Sequence, residues 1–246
     1  MSARRLLLGV GGSLDYDGYL GRFGPVAWWK MQEASGNIAD SGSNGDPGSP
    51  NGTPDYQQTG PSSAIPYAIN FNGTDEWFSI ADSPDFENTD AFTFLAWIKP
   101  SATGRAIWGK LEAPSGYRGI ELLVHSGTNT FALQIISVNS SGNAIYVRGS
   151  TAIAVDGSTW YFVAATYDGS ASAAGVSLYV NGSAETTTAI TDGLTTTILN
   201  NVTAEIGRSG SASGVAHWSG LLAQQAIFDK MLTAAQISEF YTRGIA

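Results

Sequence analysis

Short apolar runs separated by glycine- and asparagine-rich turns constrain this chain more than any other feature. From Pro25 onward, runs of five to nine residues such as "YAINF", "EWFSI", "AFTFLAWIK", "GIELLVH", "FALQIISVN", "AIYVRG" and "WYFVAATY" follow one another. Their length and their β-branched and aromatic content fit strands, not helices. In "VSLYVNGSAETT", Asn181-Gly182 stands between β-rich flanks, the strongest short hairpin signal. Ten or more such strands with almost no helix predict an all-β fold, a two-sheet antiparallel jelly-roll sandwich. "FTFLAWI" is apolar on both faces, which predicts a central strand in a sheet covered on both sides.

Composition supports this reading and excludes several function classes. Hydrophobic residues make up 43% of 246, enough to bury a core without staples. Charged residues are only 13%, about half the usual share. The formal net charge is −9, with four lysines against 21 acids, so a phosphate backbone is repelled and nucleic-acid binding is not expected. With no cysteine there are no disulfides, thiolate metal sites or cysteine nucleophiles. No run approaches the roughly 18 apolar residues that span a bilayer, so membrane insertion is not expected.

The opening "MSARRLLLGVGG" poses a choice between an export signal and part of the protein. A secretory signal needs an apolar stretch of about 7 to 15 residues and a small-residue cleavage site. Here Leu6, Leu7, Leu8, Gly9 and Val10 give way to glycines and then to Asp15 and Asp17, with no A-x-A pattern. No signal peptide is recognised. Residues 1–24 are predicted to be an arm, and residues 25–246 one domain. Arg4, Arg5, Leu6, Leu7 and Leu8 are the candidate anchoring residues, able to add a strand to a neighbouring sheet edge. Removing residues 1–22 is then expected to leave a folded sandwich. At the other end, Thr233 and Gln236 fit a capping box, Ile237, Phe240 and Tyr241 form one apolar stripe, and Gly244 fits the left-handed position after a helix.

Distributed over residues 25–244, the sequence resembles the LamG-like jelly rolls of the concanavalin A-like lectin/glucanase superfamily. "WWKMQEASGNIADSGSNG" is similar to the family's opening strand and E-x-x-G…D-x-x-G loop. "INFNGTDEWFSIADSPDFENTDAFTFLAWIKP", "WYFVAATYDG" and "VSLYVNG" resemble its successive strands, and "EIGRSG" with "WSGLLAQQAIFDKMLTAAQI" its closing pattern. The resemblance implies two antiparallel sheets of about six or seven strands each, with Trp97 and Trp160 in the core. One departure stands out. The acid usual in the family's closing motif is replaced by Ala223 and Gln224, which weakens the calcium site that relatives build with the early loop.

No catalytic constellation emerges. The E-x-D-x-x-E run of the superfamily's glucanases is missing, as are a G-x-S-x-G elbow, an H-E-x-x-H pair and a P-loop. The two histidines, His125 and His217, are far apart in sequence, and the chain is expected not to be an enzyme. Asp40 and Asp46, on a glycine-rich loop, and Glu33 just before it are candidate Ca2+ ligands, because calcium takes oxygen donors on flexible loops. The alternative is an Asx-rich turn in which these side chains cap their own backbone. Trp108, Tyr117 and Trp218, near loop boundaries, are candidate sugar-stacking rings. Five N-x-S/T sequons begin at Asn51, Asn72, Asn139, Asn181 and Asn201, and are read as turn asparagines.

These features together predict a non-catalytic virion surface protein of a bacteriophage, a capsid decoration or a fibre or tail component. Phage proteins leave by lysis and need no export signal, and the LamG-like domain is expected to bind host cell-surface glycans. The arm would contact other virion proteins, in a homo-oligomer or multi-copy assembly. A chain that starts at methionine and stops just after its helix is expected to be a complete gene product. The alternative is a secreted or cell-surface carbohydrate-binding module.

Overall fold

The computed structural model describes residues 14–112, 116–210 and 217–246. In chain order these form α1 (Tyr16–Gly21), β1 (Ala27–Trp29), β2 (Ser49–Asn51), β3 (Asp55–Thr59), β4 (Tyr67–Asn72), β5 (Trp77–Ser79) and β6 (Phe92–Pro100). Next come β7 (Arg105–Glu112), β8 (Arg118–Val124), β9 (Thr130–Val138), β10 (Asn143–Ala152), β11 (Tyr161–Tyr167) and β12 (Val176–Val180). The chain closes with β13 (Ser183–Ala184), β14 (Thr188–Asp192), β15 (Glu205–Ile206), β16 (Ser219–Phe228) and α2 (Ala234–Gly244).

The strands make two eight-stranded antiparallel sheets, one or two strands more in each than expected. The first runs β13-β12-β11-β6-β16-β4-β3, with β1 also paired to β16. The second runs β14-β10-β9-β8-β7-β15-β5-β2. The Asn181-Gly182 signal holds: both residues have positive φ, 50° and 75°, and join β12 to β13 with Val180 opposite Ser183. Only backbone of that hand matches the twist of a two-residue hairpin.

The prediction for "FTFLAWI" also holds. Strand β6 lies between β11 and β16, and its two faces feed different cores. Phe92, Phe94, Ala96 and Ile98 enter the core between the sheets, facing Leu122 of β8 and Leu133 of β9. Leu95 and Trp97 point the other way, into a second core closed by Tyr16 and Leu20 of α1 and by Ile237 and Phe240 of α2. The helices therefore cover the outer face of the first sheet. Trp160 packs only at the margin of this layer, half-buried, with the Lys99 ammonium over its ring.

The structure corrects two expectations at the termini. The segment before residue 25 is not all arm, because Tyr16 and Leu20 are 1% and 0% exposed. Asp15 caps α1 by accepting from Gly18 N. Asp17 bonds Lys30 Nζ at 2.8 Å and Gln224 Nε2 at 3.2 Å, tying the helix to β1 and β16. The candidate anchor residues Arg4, Arg5, Leu6, Leu7 and Leu8 lie outside the described residues. At the other end the capping box forms as predicted, with Thr233 and Gln236 capping each other. Gly244, however, is the last helical residue, not a left-handed cap. Its requirement is steric: a Cβ there would run into the Trp97 ring.

Candidate functional site

With helices over the first sheet, the outer face of the second sheet is the broad strand surface left without a helical cover. Antiparallel register places directly paired residues on one side of a sheet. Inward-facing Ile120, Leu122 and Val124 leave Glu121 outward on β8. Glu121 pairs with Gln134, Gln134 with Tyr146, and Tyr146 with Thr191. In the other direction Glu121 pairs with Gly109, Gly109 with Glu205, and Glu205 with Ser79. One polar row thus crosses the sheet. A small apolar cluster of Leu111, Ile136 and Ala144 lies beside it on the same face.

An aromatic ring stands near each end of the row, Tyr146 beside Thr191 and Trp77 two residues along β5 from Ser79. At the β10 end, half-buried Tyr146 has the His125 ring at 5.8 Å. At the β5 end, half-buried Trp77 carries the Arg208 guanidinium over its face at 4.4 Å and the His217 ring at 5.3 Å. Strand β5 is five inter-strand spacings from β10, so the rings are about 24 Å apart at about 4.8 Å per spacing.

Burial tunes the ionisable groups between them. It pushes the Glu121 carboxyl up to about 7, with the Ser209 hydroxyl acting in the opposite sense. Gly109 leaves the space that Ser209 occupies, since a Cβ on Gly109 would strike the serine side chain. The Tyr146 phenol is raised to about 12, first by burial and then by the Glu121 charge. Burial also raises Glu205, against the pull of Arg208. The His217 ring is pushed down by burial and by the charges of Arg208 and Arg105.

Glu121 makes stability depend on pH. Its folded pKa lies above its unfolded value, so between about 4.5 and about 7 the native state binds more protons than the unfolded chain. The stabilising contribution is full at acid pH and is lost as pH rises through about 7. Glu121→Gln is expected to flatten that part of the stability–pH curve and to raise stability above neutrality, as read by denaturant unfolding at a series of pH values.

The sugar-stacking candidates fare differently from the row. Trp108 and Trp218 are 2% and 0% exposed, both packed in the core between the sheets, and offer no ring face to a ligand. Their position near loop boundaries was misleading, because each boundary turns inward. Tyr117 is exposed at the β7–β8 connection with φ 59°, apart from the row.

The calcium candidates are not arranged as a donor set. Asp40 Oδ1 accepts from Trp28 N and Gly42 N, both at 2.7 Å, and its Oδ2 accepts from Asp46 N at 3.0 Å. The main chain of Asp46 accepts from Trp29 Nε1 at 2.9 Å, and Glu33 Oε1 accepts from Ala39 N at 2.9 Å. Among the described residues no group of three or more His, Cys, Asp or Glu is placed to hold a metal ion. Asp40 is the cap of an Asx-rich turn, the alternative weighed from the sequence. In the position where the family usually carries an acid, buried Gln224 adopts φ 51° and accepts from Trp28 Nε1 at 2.8 Å. The residues do not fit a calcium ion.

Fold and outer face together define a lectin-type antiparallel sandwich. Residues 72–238 match the Laminin_G_3 family of the concanavalin A-like lectin/glucanases superfamily, and the chain belongs to that family. A search of curated proteins gives no match. Among solved structures the chain is similar to domain 4 of AbnA, a GH43 extracellular arabinanase from Geobacillus stearothermophilus, solved in complex with arabinotriose. The identity is 18%, the match covers 88% of this chain and 98% of that one, and the TM-score is 0.64. It is also similar to the binding domain of Paraclostridial Mosquitocidal Protein 1 (14% identity, 89% and 52% covered, TM-score 0.66). The binding domain of botulinum neurotoxin DC, solved with rat synaptotagmin II, is comparable (14%, 91% and 52%, 0.62). The chain spans about half of each toxin domain, and at these identities the likeness is one of fold.

Proposed function

We propose that this protein is a non-catalytic glycan-binding module whose ligand lies along the outer face of the second sheet. The observation that carries the reading is the row from Ser79 to Tyr146, with carboxyl, amide and hydroxyl groups along it and the Trp77 ring two residues from Ser79 on β5. Sugars are recognised by apolar ring faces that stack and by polar groups that take up hydroxyls, and a row about 24 Å long, half-buried at Tyr146, Glu121 and Ser79, suits an oligosaccharide. The arabinotriose complex of the similar arabinanase domain supports the same ligand class.

Trp77→Ala is expected to weaken binding of any glycan found on an array by about tenfold or more, since a stacking aromatic carries much of an interface. Its melting temperature should change little. Unchanged glycan affinity in Trp77→Ala would remove the site. The place of action proposed is the surface of a bacteriophage particle, reached by lysis. Immunogold labelling of a producing lysate tests that placement: gold on particles supports it, and gold confined to cells or free material moves the module to the cell surface or the secreted fraction.

A further inference from the structure

The chain carries four Asn-Gly pairs: Asn44-Gly45, Asn51-Gly52, Asn72-Gly73 and Asn181-Gly182. In such a pair the main chain is able to attack its own side chain, because glycine has no Cβ to block the approach to its nitrogen. The glycine nitrogen attacks the asparagine Cγ, a C–N bond closes a succinimide, and the side-chain amide leaves as ammonia with the glycine N–H proton. Water then opens the ring at one carbonyl or the other, leaving aspartate or isoaspartate. Only water is consumed. The step requires the side chain to turn onto the glycine nitrogen, with both partners free of competing bonds.

Three of the pairs are held away from that geometry. Asn72 Oδ1 accepts from Thr74 N at 2.8 Å and from Asp75 N at 3.2 Å, and its Nδ2 donates to Asp75 Oδ1 at 2.8 Å. Asn181 Oδ1 accepts from Phe162 N at 3.0 Å, and Gly182 is half-buried against Tyr241 of α2. Asn51 is half-buried at the end of β2 and donates to Ser79 Oγ at 2.9 Å, and a Cβ on Gly52 would run into the Asp75 carbonyl.

Asn44-Gly45 is built differently. Both residues are exposed, and the space around Gly45 is open. Among the described residues Gly45 N donates to no carbonyl. The Asn44 side chain is held by a single hydrogen bond, from Nδ2 to Ser83 Oγ at 2.8 Å. Its main-chain N–H donates to Val26 O at 2.9 Å, which fixes the residue without engaging the reacting atoms.

We propose that Asn44 is a site of spontaneous deamidation, converted through a succinimide with Gly45 into aspartate and isoaspartate. The change reaches the loop that Asp40 closes by accepting from Gly42 N and Asp46 N, one on each side of residue 44. Isoaspartate lengthens the main chain between those two anchors. Either product adds a negative charge beside Asp85 and Asp229, which line a surface cavity together with Asn44.

Incubating the full chain in mildly alkaline buffer, and following each asparagine by peptide mass mapping, tests the assignment. Asn44 is expected to convert from amide to acid at least about tenfold faster than Asn51, Asn72 or Asn181. In denaturant the four should react at similar rates, because only the fold separates them. Converted protein should melt below fresh protein, and Asn44→Gln, which must close a larger ring, should keep its mass and its melting temperature over the same period. Native Asn72 or Asn181 reacting as fast as Asn44 would overturn the site. So would an intact Asn44 under conditions that convert the unfolded chain. Fully converted protein that melts with the fresh protein would overturn the effect on the loop.

Discussion

Removal of residues 1–22 is expected to lower the melting temperature by about 10 °C or more, contrary to the reading of this segment as a detachable arm. The loss comes from α1. Tyr16 and Leu20 are fully buried against the outer face of the first sheet, and each such side chain contributes about 1.5–3 kcal/mol. Tyr19 makes edge-on contacts with Phe23 and Phe240 at 5.1 Å, a further contribution lost with the helix. Deletion would also strip Asp17 from Lys30 and Gln224 and uncover Trp28 and Trp97. The sum, on the order of 5 kcal/mol, is a large part of the 5–15 kcal/mol that holds a typical domain together. Leu20→Ala isolates the packing part and should cost about 2–5 kcal/mol in denaturant unfolding. A truncated protein that melts with the full chain would mean that α1 contributes no net stability.

Asp40→Ala is expected to cost about 3–5 kcal/mol, because one side chain satisfies three main-chain donors, those of Trp28, Gly42 and Asp46. Hydrogen bonds to an ionised acceptor are worth about 1.5–3 kcal/mol each, and these donors are part-buried, so water replaces the carboxylate incompletely. The loop they organise carries the Asp46 carbonyl that accepts from Trp29, a fully buried ring in the core between the sheets. The loss should therefore propagate to β1. A metal ligand behaves differently: a chelator would destabilise the native protein and leave Asp40→Ala unaffected. Here a chelator is expected to leave the wild-type melting curve in place. A chelator-induced drop that vanishes in Asp40→Ala would restore the calcium site.

The outer-face row was visible in the sequence only as interruptions. "RGIELLV", "FALQIISV" and "AIYVRG" place Glu121, Gln134 and Tyr146 between apolar neighbours. Alternation marks each of them as facing away from the core. It cannot show that the three stand side by side, because that depends on the register of β8, β9 and β10. Trp77 was hidden in the same way. "EWFSI" does not reveal which of its aromatics points outward, yet Phe78 enters the core and Trp77 meets Arg208. Choosing Trp108 and Trp218 by their closeness to turns failed because closeness along the chain does not measure depth.

The sequence by itself determined the class of fold, the Asn181-Gly182 hairpin, the double-faced burial of β6 and the capping box of α2. All of these follow from local periodicity or from the chemistry of a few adjacent residues, which the chain carries wherever it folds. Tertiary structure alone decided that α1 belongs to the body of the protein, that Gly244 makes room for Trp97, and that Asp40 caps a loop. It alone brought Arg208, Trp77 and His217 to one end of a sheet. The reason is distance along the chain: these groups are separated by up to about 140 residues, and their meeting is set by strand order and register, which no local pattern encodes.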